Sequence, residues 1–169
     1  MACLVRPATE DDVERILEIT NDAIAHTTAN WGYEPTDLAE RSHWFQDHVS
    51  RGYPVLVAEA DADARSVIGF GAYGEFRPKA GYRHTVEHSV YVDAAARRCG
   101  VGSALLGALV AHAKEAGVHV MIGGIASDNV ASIRLHEQFG FQQTGHLRQV
   151  GYKFDRWLDL LFVQLILGG

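Results

Sequence analysis

The chain is poor in cysteine and basic charge, and each shortage excludes something. Of its 169 residues only two are cysteine, Cys3 and Cys99, and four are proline. The cysteines stand far apart in no C-x-x-C pair, which excludes a cysteine metal cluster and fits a reducing compartment such as the cytoplasm. No apolar run reaches the ~20 residues of a spanning helix. The most apolar late stretch, 158–167, is broken by Asp159 and Gln164, and the N-terminus turns acidic at Glu10-Asp11-Asp12, unlike a signal peptide. A soluble protein without a membrane partner is therefore expected. Fifteen Lys and Arg against twenty-one Asp and Glu leave a net charge of −6, which speaks against a nucleic-acid partner because phosphate contacts need a basic surface. The nine histidines show no H-E-x-x-H or clustered ligand spacing, so no metal is invoked.

What is present suits one packed domain, 1–169. The composition is 47% apolar and 21% charged, and a chain of this length buries roughly 68–70% of its unfolded surface without a disulfide or metal staple. Periodicity predicts a short strand at 4–6, then a helix opened by Thr9 with Asp12 and carrying Val13, Ile16, Leu17, Ala23 and Ile24 as far as His26. Thr36 is expected to cap a second helix with Leu38, Trp44, Phe45 and Val49 on one face, ending before Gly52. Strands follow at 54–58, 67–76 and 85–92, with a turn at 61–65. In the third of these, Val86, His88, Val90 and Val92 share one side, and Glu87, Ser89 and Tyr91 the other. A nearly apolar helix runs from Gly102 until Gly117. After it come a strand at 119–125, a helix capped by Asn129 and stopped by Gly140, and two closing strands at 142–150 and 157–167. The order β-α-α-β-β-β-α-β-α-β-β implies a mixed α/β sheet with helices on both faces.

The segment Val90-Tyr91-Val92-Asp93-Ala94-Ala95-Ala96-Arg97-Arg98-Cys99-Gly100-Val101-Gly102-Ser103 carries the most chemistry. A strand ends, a turn holds two glycines, and a helix begins. Glycine lets backbone approach a ligand, and the unpaired N–H groups of a helix start can hold a pyrophosphate. It is neither G-x-G-x-x-G nor a P-loop, since no Lys-Ser/Thr follows the last glycine.

Arg97-x-x-Gly100-x-Gly102 resembles the [Arg/Gln]-x-x-Gly-x-[Gly/Ala] signature of the GCN5-related N-acetyltransferases, the GNAT superfamily. Downstream, Asn129-x-x-Ser132-x-x-Leu135-His136, running into Gly140-Phe141, is similar to that superfamily's Asn-x-x-Ala-x-x-Leu-Tyr-x-x-x-Gly-Phe pattern. His136 stands where most of the superfamily has tyrosine. Together with 85–92, Gly151-Tyr152-Lys153 and the 21–31 segment, it resembles the phosphinothricin and methionine sulfoximine acetyltransferases, from Val5 to Leu165. The resemblance implies a mixed, mostly antiparallel GNAT sheet and acetyl-coenzyme A as cosubstrate. The pyrophosphate would lie on Arg97, Arg98, Cys99, Gly100, Val101, Gly102 and Ser103, the pantetheine arm along Val90, Tyr91 and Val92, with Asn129 close by. It also implies a homodimer, for which Trp31 and Trp157 look exposed.

Acetylating an ammonium requires a base. Glu87, mid-strand and opposite Val86 and Val90, is the candidate; the alternative is a carboxylate paired with Arg77 or Arg83. His136 is the candidate acid for the departing thiolate or part of a proton path, against an ordinary core histidine. Arg77, and His88 beside Glu87, are candidates for the substrate's acidic end, because an arginine fork matches a carboxylate or phosphinate. A solvated loop charge is the other reading of Arg77. Cys99, with no neighbouring base, is not read as a nucleophile. The expected reaction is direct transfer of acetyl to the α-amino group of phosphinothricin, L-methionine sulfoximine or the sulfone. Acetylation of a protein N-terminus or another small amine is the related alternative, and a coenzyme A sensor without catalysis the unrelated one.

Overall fold

The computed structural model describes residues 3–60 and 66–168. Seven strands form one sheet in the order β1-β2-β3-β4-β5-β7-β6. They are β1 (Cys3–Pro7), β2 (Val55–Ala60), β3 (Val67–Glu75), β4 (Thr85–Val92), β5 (Val120–Ala126), β6 (Gln142–Lys153) and β7 (Arg156–Ile166). Four helices cover it: α1 (Val13–His26), α2 (Leu38–Ser50), α3 (Val101–Glu115) and α4 (Val130–Gln138). Every neighbouring pair is antiparallel except β4 and β5. The element order is the expected one; the turn expected at 61–65 lies outside the described residues.

The two sheet faces bury different sets of side chains, as alternation in a strand requires. On one, Val86, Met121, Leu161 and Val163 pack with Leu105, Leu106 and Leu109 of α3. On the other, Val55, Val57 and Phe70 pack with Val13, Ile16 and Ile19 of α1 and Phe45 of α2. Two expectations at α2 are corrected. Its cap is Asp37, whose carboxylate accepts from Glu40 N–H at 2.8 Å, while the Thr36 hydroxyl donates to the Glu40 side chain. Leu38 and Val49 face solvent, leaving Phe45 as the buried anchor.

The feature that shapes the site is where parallel pairing stops. β4 and β5 are in register from Thr85 with Val120 to His88 with Gly123. Beyond that β4 stays with β3 up to Val92, and β5 stays with β7 up to Ala126. The strands therefore part, and the facing edges of 89–92 and 124–126 carry backbone amides and carbonyls with no ladder partner across the gap.

Candidate active site

The gap opens into a cavity of about 1220 Å³ lined by residues from α1, α2, both parted strands, the 96–103 turn and α4. Ser89, Val90, Tyr91 and Val92 line one wall and Gly124, Ile125 and Ala126 the other. Unpaired amides and carbonyls spaced along an extended strand can bond the amide groups of a pantetheine arm, as a further strand would.

At one end lies the glycine turn. Gly100 caps α3 with φ +84°, a left-handed conformation that suits glycine and strains other residues. The first bond of this turn runs from Ala104 N–H to the Gly100 carbonyl at 3.0 Å, so the amides up to Ser103 have no helical acceptor and give the helix start its affinity for anions. Arg97, Arg98, Gly100, Gly102, Ser103 and Asn129, the residue that caps α4, all line the cavity. The donor set fits a pyrophosphate. Two residues are corrected: Val101 is 1% exposed in the core, so only its amide is on offer, and Cys99 turns its thiol toward the Arg97 carbonyl outside the lining. The Tyr91 ring also points away, stacked on Phe70 at 5.2 Å with its hydroxyl accepting from Asn30; Tyr91 offers the gap only backbone.

Glu87 stands where the strands begin to part, half-buried on the face of α1 and α2 and shared with a smaller cavity of about 250 Å³ beside Trp31, Tyr91 and Leu160. Burial pushes its carboxyl above the ordinary carboxylate range, and the field of Arg77 pulls it back less strongly. It forms no ion pair or hydrogen bond among the described residues, so pairing with Arg77 or Arg83 is not what occupies it. Arg77 itself is exposed, laid over the Phe76 ring and donating to the Phe76 carbonyl. It is not in the lining.

His88 and Glu87, neighbours in one strand, point to opposite faces. His88 is 7% exposed, with Nδ1 donating to the Ile122 carbonyl at 2.9 Å and Nε2 against His136 Nε2 at 2.8 Å. That corrects its placement beside Glu87 at the substrate's acidic end. His136 is buried too, its Nδ1 2.7 Å from the Ser132 carbonyl. With both ring nitrogens engaged by the protein, His136 has none free to reach a leaving thiolate.

Two contributors escaped the sequence reading. Lys153 is 3% exposed and donates to the carbonyls of Ile24, Thr27 and Asn30 at 2.6, 2.8 and 2.5 Å, holding the end of α1 and the 27–30 wall. Beside it the Trp31 ring lies so close to Gly151 that a Cβ there would come within 2.4 Å. Trp31 is thus a packed wall residue, not part of an exposed patch. Ser132 lines the cavity one helical turn before His136. Its i, i+4 spacing to the histidine was the available signal.

The family model for the acetyltransferase (GNAT) domain matches residues 5–162. The chain is 50% identical over 165 residues, 98% of its length and 95% of the relative's, to an L-methionine sulfoximine/L-methionine sulfone acetyltransferase of Pseudomonas aeruginosa. A GNAT phosphinothricin acetyltransferase of Sinorhizobium meliloti, solved with acetyl-coenzyme A, superposes with a TM-score of 0.96 at 34% identity, covering 99% of this chain and 90% of that one. A structure described as ribosomal-protein-alanine N-acetyltransferase from Brucella melitensis gives 0.93 at 48% identity, with 96% and 99% coverage. With the GNAT domain model matched over most of its length and a named acetyltransferase 50% identical across nearly all of it, the chain belongs to the GNAT family as an acetyltransferase.

Proposed function

We propose that the enzyme moves acetyl from acetyl-coenzyme A to the α-amino group of a small amino-acid analogue, L-methionine sulfoximine, its sulfone or phosphinothricin, by direct attack in a ternary complex. The observation that carries the reading is Glu87, a carboxylate without a partner among the described residues at the parting of β4 and β5, made more basic by burial. In this reading the 97–103 turn holds the pyrophosphate and the backbone of 89–92 and 124–126 holds the arm, bringing the thioester beside Glu87. Glu87 takes a proton from the ammonium, directly or through one water. Arg77, exposed outside the lining but with its field reaching Glu87 and free of a carboxylate partner among the described ion pairs, meets the substrate's acidic end as a fork.

The relatives' names support the small-acid acceptor: the P. aeruginosa enzyme is named for methionine sulfoximine and sulfone, and the S. meliloti enzyme for phosphinothricin. The B. melitensis likeness at 48% identity favours the second reading, an N-terminal alanine of a protein. Thiol release measured over both groups of amines separates them. Turnover of the small acids with none of alanyl peptides is expected; the reverse would replace the first reading by the second.

We further read residues 1–169 as one domain of a cytoplasmic homodimer. None of the described helices is long and apolar enough to cross a membrane. The edge strand β6 and its hairpin with β7 expose Leu147, Val150, Tyr152, Phe154 and Trp157, an apolar strip suited to a second copy. Sedimentation at micromolar concentration giving only an 18.5 kDa species would refute the dimer.

A further inference from the structure

His88 and His136 meet in a way that does not close on neutral rings. Each Nδ1 faces a carbonyl, of Ile122 at 2.9 Å and of Ser132 at 2.7 Å, and the two Nε2 atoms face each other at 2.8 Å. A carbonyl only accepts, so each Nδ1 contact needs a hydrogen on nitrogen, and the contact between rings needs one more. Two neutral imidazoles carry two hydrogens; this geometry asks for three. When the third is absent, one contact must change, and only His136 has another partner: the Ser132 hydroxyl, 3.5 Å from its Nδ1. Burial disfavours charge on both rings, and among the described residues no ionisable group but the partner ring perturbs either one. Phe141 of the Gly140-Phe141 turn closes the pair, edge-on to His136 at 5.1 Å. Ser132, half-buried, faces the cavity.

We propose that Ser132, His136 and His88 form a proton relay ending in the cavity, in which the Ser132 hydroxyl hands the proton to the departing sulfur. The relay rests on the acetyl-transfer reading above. An ammonium that becomes an amide loses two protons, and a thiolate that becomes a thiol gains one, so one proton per turnover goes to solvent. Glu87 takes both in turn and passes them to solvent, and the pair draws one back from cavity solvent through the Ser132 hydroxyl, held as the third ring hydrogen on His136 Nδ1. As the carbon–sulfur bond breaks, the Ser132 O–H bond breaks and an S–H bond forms, while the hydrogen on His136 Nδ1 replaces the one the serine gave. The pair returns to two hydrogens. Transfer runs downhill, because an imidazolium made more acidic by burial meets a thiolate whose acid has an ordinary pKa of about 8.5. His88 is a positioning residue. The Ile122 carbonyl keeps its hydrogen on Nδ1, so its Nε2 is a lone pair that holds the His136 hydrogen on Nε2 and leaves Nδ1 of His136 to exchange with the serine.

The test uses acetyl-coenzyme A and L-methionine sulfone. Ser132→Ala should lower kcat by roughly 10²-fold with KM for acetyl-coenzyme A within about twofold of wild type, and Ser132→Thr, which keeps the hydroxyl, should recover at least about tenfold of that loss. His88→Phe keeps a ring against Phe141 but removes the lone pair that favours protonated His136, so the basic limb of the kcat profile should move down by about one pH unit. Nitrogen-15 spectra of the free wild-type protein read the rings without substrate: His88 protonated at Nδ1, His136 at Nε2. An alanine variant with wild-type kcat, or a His88 ring protonated at Nε2, overturns the relay. Should His88→Phe not fold, the wild-type spectra decide. A wild type that acetylates no amine offered is instead a failure of the acceptor reading, visible before any variant is compared.

Discussion

The two ends of the cavity are built by opposite means. The turn at 97–103 presents main chain: a glycine at φ +84°, amides without helical acceptors and strand edges left open by the parting of β4 and β5. The end around Glu87 presents side chains brought from remote parts of the chain, with Trp31 and the 27–30 wall held by Lys153. Main-chain recognition suits a ligand whose reacting end is always the same, since any sequence compatible with the turn offers the same amides. Side-chain recognition suits a partner that differs between enzymes of one fold, because single substitutions rewrite it.

If that division is real, changes at one end leave the other's binding constant alone. The largest effect is expected from Glu87→Gln: kcat lower by roughly 10²–10⁴-fold with acetyl-coenzyme A affinity unchanged. Because burial raises the Glu87 pKa and the base must be ionised, wild-type kcat should fall as pH drops through that raised value, and steady-state profiles of the glutamine variant should lack this acidic limb. Next, Arg77→Met should lower kcat/KM for L-methionine sulfone roughly 10–150-fold, the loss of one charge-assisted contact; an equal loss of acetyl-coenzyme A affinity by calorimetry would break the comparison. From the other side, Gly100→Val strains a left-handed position by about 1–3 kcal/mol and should raise the acetyl-coenzyme A Kd roughly tenfold while kcat at saturation holds.

The smallest effect belongs to neither end. Asp12 accepts two bonds from the Arg6 guanidinium, which hold its pKa below the usual value. A carboxylate lowered on folding contributes stability above its unfolded pKa and loses it as pH falls through the folded one. Asp12→Asn should therefore cost about 1 kcal/mol at neutral pH, with denaturation curves of the two proteins converging in acid and both ligand affinities intact.

Element order was legible in the sequence because periodicity, glycine stops and capping residues are local. The loop end was legible for the same reason, since Arg97, Gly100 and Gly102 lie within six consecutive positions. Where a cap had competitors the reading slipped by one residue, as at Thr36 and Asp37, because both are good acceptors and only the backbone decides between them. The site's interior was less legible. Alternation correctly set Glu87 and His88 on opposite faces, yet it could not say that His88 would meet His136, 48 positions on, or that the parallel pairing would end at that residue. Trp31 looked exposed because its partner is the absent side chain of Gly151.

Lys153 also sets an order of events in time. Its three acceptors precede it by 129, 126 and 123 positions, among the longest sequence separations bridged in the molecule. Contacts of such span close late, after the cost of joining distant segments has been met. A chain leaving the ribosome N-terminus first has made its glycine turn long before residue 153 emerges. The amine-facing wall therefore acquires its final shape only when the closing hairpin docks, after the glycine turn at the other end has emerged.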